Sequence, residues 1–559
     1  NLSGTGTSTG INIASNTGGT FTLSGTSKTL NTGTNAAVTL TTNSGATINF
    51  SGGGLTITTT SGTGFNATGG GTVTVQGTGN TITSTTGTAL NIANTMIGAS
   101  NLNFRSITTD GSINGINLDS TGAAGGLVVS GNNNVTLGGD SSGGTFRTTG
   151  DAIRLVNTRG VSLTNIRIAN VGTGPADQAG GIDATNLQGT NLLRASTITD
   201  MGKAGGSGGT NRNAVSVINS NTNLTQFTVE NSVFSNSEGT SSFIFTSARF
   251  ASNMSISVTG SDFFNLVPIA VQVNAGDEDS GVHTVTSNIS NNTFRNAHVS
   301  NGQGGIIVAT ADQDATHNFT IAGNQFFDLI KGIAGGNSEI VATQTTGGRL
   351  AGTISGNTLG TTAFANGDRR GIGIIAEPDV SANGELGSVD VVIEGNFINR
   401  LPTREAIFVD LREDTGNSEL IIRNNNIGNL AGFEGQVGGT REAIDVQTRG
   451  EVARTLDLLV SGNNVRSNTD TPFSVMNLEV NIDNGTPGDL TMNATVTGNT
   501  FTNSGSGNEL FARARDAGTV TTLCLNMSAN TVGAGAGVLD LDDVGELNVQ
   551  QASAAALAA

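Results

Sequence analysis

A six-residue pattern that recurs along most of the chain constrains its fold more than any other feature. It reads apolar–x–(Gly/Asn/Ala)–(Asn/Ser)–x–apolar and occurs twelve times between Leu163 and Val532, once every 29 to 39 residues. The first and sixth positions are apolar in all twelve copies, and the fourth is Asn in eight of them. A repeat of this period predicts a solenoid, in which each turn contacts only its neighbours. The third positions are Asn165, Ala195, Asn231, Gly260, Asn291, Gly323, Gly356, Gly395, Asn424, Gly462, Gly498 and Ala529.

A weaker form of the pattern continues upstream, so the repeat covers nearly the whole chain. Its copies centre on Gly25, Gly52, Gly77, Phe104 and Gly131, spaced 25 to 27 residues apart. Only 12% of the residues are charged, and 82 of 559 are Gly, a polarity that can indicate disorder. The regular spacing of Val, Ile, Leu and Phe argues instead for a folded solenoid of about 17 turns, twelve clear copies and five weaker ones.

Two other segments recur between copies of the pattern. One begins with Gly or Ala and continues apolar–x–apolar, as in Gly115 to Leu118 and Ala443 to Val446. The other is an alternating segment that leads into the Asn pattern, such as Asp390 to Ile393. Each turn therefore holds three short strands with period-2 alternation. This predicts an all-β fold, a parallel β-helix of about 17 turns, which is right-handed because parallel crossovers are.

When turns stack, the repeated Asn of the pattern forms a column, which we call the Asn column. This column has a structural explanation. Asn tolerates the left-handed conformation that a sharp corner between strands requires, and its side chain can bond nearby backbone. In stacked turns the amides can also form a ladder, and a Phe two residues later would stack in the interior. We therefore interpret the column as corners and core, not as a binding site.

These features resemble the right-handed parallel β-helix proteins of the pectin-lyase-like architecture over nearly the whole chain. The Gly-, Asn- and Thr-rich composition, with no Tyr and no Trp, is similar to that of large bacterial surface and adhesin-type β-solenoids. The resemblance implies a secreted or cell-surface protein.

Composition divides the predicted solenoid into three parts. Residues 1–150 are Thr-, Ser- and Gly-rich with short repeats, and carry three basic and three acidic groups. Residues 151–545 have longer repeats and all the excess acid, and residues 546–559 form a terminal strand and an Ala-rich tail.

The net charge of −18 makes nucleic acid and anionic membranes improbable partners. No apolar stretch is long enough to predict a transmembrane segment, and the single Cys524 excludes an intramolecular disulfide framework.

Carboxylates recur in the loops that follow the Gly/Ala-led strands, and their common register predicts an acidic column. Calcium would relieve the repulsion between stacked carboxylates, because it takes several oxygen ligands. The alternative is a set of solvated turns in an acidic secreted protein. No cofactor is required, and calcium is the one candidate. Its candidate ligands are Asp277, Asp279, Asp312, Asp314, Glu377, Asp379, Glu413 and Asp414.

An enzyme is the alternative function. Polysaccharide lyases and glycosidases of the resembled architecture use loop carboxylates, here Asp312, Asp314, Glu413 and Asp414, with Arg412 or Arg449 as the basic partner. The absence of Tyr and Trp as stacking platforms for sugars argues against it. The histidines, His283, His298 and His317, lack metal-ligand spacing and are expected at the surface or in hydrogen bonds.

The sequence therefore predicts a non-catalytic, extracellular or cell-surface β-solenoid. It would serve as an adhesin-like stalk or as the subunit of an extracellular filament. A β-helix exposes an unpaired strand edge at each end, and head-to-tail stacking of copies would satisfy both edges. The expected partners are further copies of the chain, or glycans on a host or other surface.

Overall fold

The chain forms two compact units by its internal contacts. The first comprises Asn1–Ser247 and Ala251–Pro268, and the second comprises Ala248–Phe250 and Ile269–Ala559. The computed structural model describes residues 2–4, 6, 10–169, 171, 180–201, 213–236, 242–266, 269–276, 281–297, 305–312, 314–327, 338–344, 348–360, 370–376, 387–401, 404–412, 415–450, 453–481, 489–515, 521–533, 539–543 and 546–551.

Each unit is built from three parallel sheets, and each turn contributes one strand to each of them in the order sheet 1, sheet 2, sheet 3. The described residues contain 54 strands and no helix. This confirms the predicted all-β fold, a right-handed parallel β-helix with three strands per turn and about 17 turns. No helix long and apolar enough to cross a bilayer occurs in the described part of the chain.

Sheet 1 contains the strands that follow the Asn corner. In the first unit they are Leu2–Gly4, Lys28–Gly33, Leu55–Thr59, Thr81–Ser84, Ser106–Ser112, Gly144–Thr148, Ile166–Ala169, Thr197–Thr199, Val233–Ser235 and Asp262–Leu266. In the second unit they are Thr293–Ala297, Gln325–Phe327, Thr358–Leu359, Phe397–Ile398, Asn426–Ile427, Asn464–Ser467, Thr500–Asn503 and Thr531–Val532.

Sheet 2 contains the strands of the Gly/Ala-led segments, and 13 of its 18 strands begin directly after Gly or Ala. In the first unit they are Ile11–Ala14, Val38–Thr41, Phe65–Thr68, Leu90–Ala93, Ile116–Asp119, Ile153–Val156, Ile182–Thr185, Val215–Ser220 and Ile244–Arg249, whose last two residues belong to the second unit. In the second unit they are Val271–Ala275, Ile306–Thr310, Ser338–Gln344, Arg370–Ala376, Ile407–Leu411, Ile444–Arg449, Ser474–Asn481, Asn508–Ala514 and Leu539–Asp543.

Sheet 3 contains the alternating segments that lead into the Asn corner. In the first unit they are Thr20–Leu23, Thr47–Phe50, Thr72–Val75, Met96–Phe104, Leu127–Val129, Ser162–Thr164, Thr190–Arg194, Leu224–Glu230 and Asn253–Thr259. In the second unit they are His283–Ser290, Ala315–Ala322, Arg349–Ser355, Ser388–Glu394, Ser418–Arg423, Arg454–Ser461, Leu490–Thr497, Thr521–Ser528 and Glu546–Val549.

The core is the interior of the coil, filled by alternate residues of each strand. Leu456, Leu458 and Val460 are all buried on one strand of sheet 3, with the more exposed residues between them. Because equivalent residues pair from turn to turn, like side chains stack on like: Val460 pairs with Val496. The predicted Phe stacking is present in two pairs, Phe234–Phe263 and Phe294–Phe326, whose ring centroids are 4.9 and 4.7 Å apart.

The six-residue pattern forms a corner between two strands, which we call the Asn corner. The third and fourth residues of the pattern have different roles there. The third residue of the pattern has a left-handed φ between 45° and 64° in all twelve copies, which explains why Gly and Asn dominate there. The fourth residue carries the ladder. From the sequence we expected Asn to serve both as the corner residue and as the ladder, whereas the two roles belong to adjacent positions.

The asparagine ladder lies in the second unit and has eight rungs. In each of the first seven rungs Nδ2 donates to Oδ1 of the next rung at 2.9–3.1 Å, and the backbone N–H donates to the same oxygen. The rungs are Asn292, Asn324, Asn357, Asn396, Asn425, Asn463, Asn499 and Asn530. In the first unit Ser196, Ser232 and Ser261 hold the same position, and each Oγ accepts one backbone N–H from the preceding turn. These polar residues therefore satisfy the buried backbone of the corner.

Candidate functional site

An acidic cluster lies on sheet 2 of the second unit, where two consecutive turns carry the same four residues. Residues 404–407 and 441–444 both read Arg-Glu-Ala-Ile, and their strands pair in register. The shared register stacks Glu405 and Glu442 one turn apart. Asp445 follows Glu442 by three residues and alternates along its strand with core residues. We call Glu405, Glu442 and Asp445 the acidic cluster.

The three carboxylates of the acidic cluster are close together. Each offers an oxygen that lies within 4.8 Å of an oxygen from the other two. Glu405 is only 2% exposed and Asp445 only 3%, while Glu442 is half-buried. Ionised carboxylates at this separation repel one another strongly when water is excluded.

The hydrogen bonds that Glu405 and Asp445 accept come from one guanidinium and two side-chain amides. Glu405 accepts from Nε of Arg370 at 3.0 Å. Asp445 accepts from Nε2 of Gln447 at 2.7 Å and from Nδ2 of Asn477 at 2.8 Å. Amide donors orient a carboxylate but bring no compensating charge, so Asp445 is held without an ion pair among these contacts.

The electrostatics of the cluster favour protonation or a bound cation. Burial raises the pKa of Glu442 to about 7, and the negative charges of Glu405 and Glu479 add to the rise. Burial also raises the pKa of Asp445 well above its usual value, with the charge of Glu442 as the next cause. Arg441 opposes the rise at Glu442.

Two neighbouring carboxylates on the same face each contact two guanidinium groups, whereas the two hydrogen bonds of Asp445 described above come from amides. Asp410 contacts both Arg412 and Arg449, with nitrogen–oxygen distances of 2.6 and 2.5 Å. Glu479 contacts Arg513 at 2.7 Å and a second arginine, Arg515, at 3.5 Å. Each of these buried carboxylates therefore faces two guanidinium groups, which makes them structural ion pairs.

The predicted calcium ligands fall mostly elsewhere. Asp277, Asp279, Glu377, Asp379, Glu413 and Asp414 lie outside the described residues, so calcium at these loops stays a prediction. Asp314 is exposed, whereas Asp312 is buried against His283, with 2.7 Å between Oδ2 and Nε2. The structure thus does not bring Asp312 and Asp314 to one face.

Of the other residues singled out in the sequence, Arg412 and Arg449 both bind Asp410. His317 is buried and hydrogen-bonded to Ser287 and to the carbonyl of Ala309, at 2.9 and 3.0 Å. His298 lies outside the described residues.

The acidic cluster was not predicted from the sequence, because the predicted carboxylate ligands all lie in the loops after the Gly/Ala-led strands. Glu405 and Glu442 lie immediately before those strands, and Asp445 lies within one. The repetition of Arg-Glu-Ala-Ile 37 residues apart, from Glu405 to Glu442, is the signal that could have identified it. Asp445 occupies the variable position of its Ala-led segment, so the repeat itself does not mark it.

Compared with known protein families, with curated proteins and with solved structures, the chain matches none.

Proposed function

We propose that this chain is a non-catalytic structural β-solenoid that acts outside the cell or at its surface, as an adhesin-like stalk or as a filament subunit. One observation carries the proposal: the residues that the repeat fixes are used for corners, ladders and core. The third positions supply left-handed backbone, the fourth supply the ladder, and the first and sixth fill the interior. A sequence so committed to one architecture is typical of a protein whose shape is its function.

The chemistry of the surface supports the same proposal. Net charge is −18, which disfavours nucleic acid and anionic membranes as partners. Outward ladders of small polar residues, such as Asn66, Asn91 and Asn117, offer repeated amides with side-chain hydrogen bonds of 2.6 and 2.7 Å. Such rows suit contact with a repeating partner, either glycans or further copies of this chain.

Electron microscopy and sedimentation of the purified chain test the proposal. We expect extended particles that resist protease, together with either concentration-dependent fibres or retention on a glycan-coated surface. A monomer with no fibres at high concentration and no glycan retention would contradict it, as would turnover of any polysaccharide.

One specific observation favours a second candidate function, a polysaccharide-active enzyme. The oxygens of the acidic cluster lie within 4.8 Å of one another, and glycosidases that retain configuration hold their two carboxyl groups about 5–5.5 Å apart. Release of reducing ends or unsaturated products from uronate or neutral polysaccharides would establish it, provided that Glu442→Gln abolishes the release. Glu419→Gln, an exposed glutamate of sheet 3, is the matched control and should leave such activity intact.

A further inference from the structure

The acidic cluster is unusual in this chain because like charges are stacked in adjacent turns of a buried column. Gly371 donates its N–H to the carbonyl of Glu405, which places Arg370 next in the column that continues with Glu405 and Glu442. The column therefore carries one positive charge, at Arg370, followed by two negative charges, at Glu405 and Glu442. Arg370 pairs with Glu405, and its guanidinium also lies 3.8 Å above the ring of Phe408.

The positive groups near the cluster are unevenly distributed, because two of them, Arg513 and Arg515, contact Glu479. Arg441 acts on Glu442 but also lies over the ring of Phe473, 5.5 Å from its centroid. Glu479, which adds to the negative potential at Glu442, is already held by Arg513. Asp445 is left with amide donors alone in its hydrogen bonds.

A second, independent observation is the side chain of Asn477. Asn477 is 5% exposed, and its Oδ1 has no hydrogen-bond partner among the described residues. Its Nδ2 is bonded to Asp445 of the cluster, so the oxygen of the same amide lies beside that carboxylate. A buried amide oxygen without a partner costs about 1–3 kcal/mol. An electropositive ligand at this position would satisfy it, either as it stands or after rotation of the amide.

We propose that Glu405, Glu442 and Asp445 bind a hard divalent cation of the calcium class, with the amide oxygen of Asn477 as a further ligand. Three carboxylates and an amide oxygen form an all-oxygen donor set, which suits calcium and magnesium and does not suit softer metals. Calcium takes six to eight oxygens, so water would complete its shell on the half-buried side of Glu442. The cation would join three successive turns of sheet 2, which contribute Glu405, then Glu442 and Asp445, then Asn477.

This proposal does not depend on the structural role proposed above, since a stalk, a filament and an enzyme could each carry such a site. It also differs from the loop sites predicted from sequence, because Asp277, Asp312, Glu377 and the other predicted ligands take no part in it.

Calorimetric titration of the full chain with CaCl2 is the direct test. The chain has no Trp and no Tyr, so sensitised lanthanide luminescence from those residues is not available and heat is the better signal. We expect saturable binding in the range of about 0.1–1 mM or tighter. Glu442→Gln and Asp445→Asn should each weaken it by about tenfold or more, because each removes one ligand charge. The exposed Glu419→Gln should bind as the parent does.

Thermal melting provides a second readout, because a ligand that binds only the folded chain raises its melting temperature. With about 10 mM CaCl2 we expect the parent and Glu419→Gln to gain about 2 °C or more, and Glu442→Gln to gain clearly less. Without calcium, Glu442→Gln should melt no lower than the parent at pH 8, since it removes a repelling charge; this also shows that the variant folds.

Two results would overturn the proposal. One is an absence of binding heat in the parent at about 10 mM CaCl2. The other is an isotherm of Glu442→Gln that matches the parent's, which would place any calcium in the loops. Polysaccharide turnover leaves the cation proposal standing and contradicts only the non-catalytic role, so the two failures are distinguishable.

Discussion

At the scale of single residues, the buried imidazole of His317 is held by two hydrogen-bond partners, Ser287 and the carbonyl of Ala309. His317 is fully buried inside the second unit, and burial lowers its pKa from 6.5 to about 4. It is therefore neutral in the folded chain at pH values where the unfolded chain has already taken up a proton. The unfolded state binds more protons between these two values, so folding stability must fall as pH falls through that window.

We predict that acidification from pH 6.5 to about 4 destabilises the chain by up to about 3 kcal/mol through His317. The measurement is the midpoint of urea unfolding across this pH range. His317→Gln should lose that part of the pH dependence, whatever its stability at pH 7. Ser287→Ala, which removes the hydroxyl 2.9 Å from Nε2 and keeps the imidazole, should retain it. Equal pH dependence in the parent and His317→Gln would refute the assignment.

Two sets of residues, the repeated Asn and Gly positions and the acidic cluster, differ in how well the sequence predicts them. The Asn and Gly positions were readable because they recur in many turns, and chance agreement over twelve copies is negligible. Glu405, Glu442 and Asp445 occur in only two turns, and the one repetition that marks the two glutamates, Arg-Glu-Ala-Ile, does not distinguish a buried pair from ordinary surface acids. Their burial depends on how neighbouring side chains cover sheet 2, which a linear pattern does not report.

At the scale of elements, the asparagine ladder links successive turns of the second unit. A central rung such as Asn396 donates to the carbonyl of Ile354 and to Asn425, and its Oδ1 accepts two bonds from Asn357. Removing it leaves buried donors without partners on the preceding turn. That penalty is larger than the loss of the bonds themselves.

We predict that Asn396→Ala destabilises the second unit by about 2–4 kcal/mol. Asn91→Ala interrupts an outward ladder of the first unit, where Asn91 is only partly buried. Because water can replace its bonds, it should cost less than about 1 kcal/mol. Urea unfolding of both variants provides the comparison, and an equal loss in the two would show that burial does not set the strength of the ladder.

One element was not predictable from periodicity. The segment 131–142 leaves its own turn and reaches residues far along the first unit: Gly138 donates its N–H to the carbonyl of Asn231 at 2.8 Å, and Asn231 donates to the carbonyl of Val135 at 3.2 Å. Thr197 donates to the carbonyl of Gly138 at 3.0 Å. The three strands of a turn follow from local alternation, but a contact across 96 residues does not.

At the scale of the whole molecule, the fold was readable because a solenoid repeats one local solution many times. Each turn needs only its neighbours, so stability is roughly a sum over turns and interfaces. The predicted class and number of turns follow from that repetition, and the handedness follows from the parallel crossovers. The function of the molecule has no comparable redundancy, and it must be sought where turns differ.

We predict that a fragment of residues 1–268, which contains the first unit, folds without the rest. It should give a far-UV circular dichroism spectrum of β structure and a cooperative thermal transition, because its strands already have their neighbours. A fragment that ends within a turn, at residue 247 in the middle of a strand, is the matched control and should melt lower. A coil spectrum for residues 1–268 would show that the two units fold only together.

The asparagine ladder also indicates where this protein can accept an inserted peptide. Successive rungs are separated by as few as 29 and as many as 39 residues, yet the amide-to-amide distance stays at 3.0 Å in both cases. The distance between rungs is therefore independent of the number of residues in a turn, and most of the additional residues of the longer turn lie between the strands. A foreign peptide of about ten residues, placed in a loop between two rungs, should be displayed without disturbing the turns on either side.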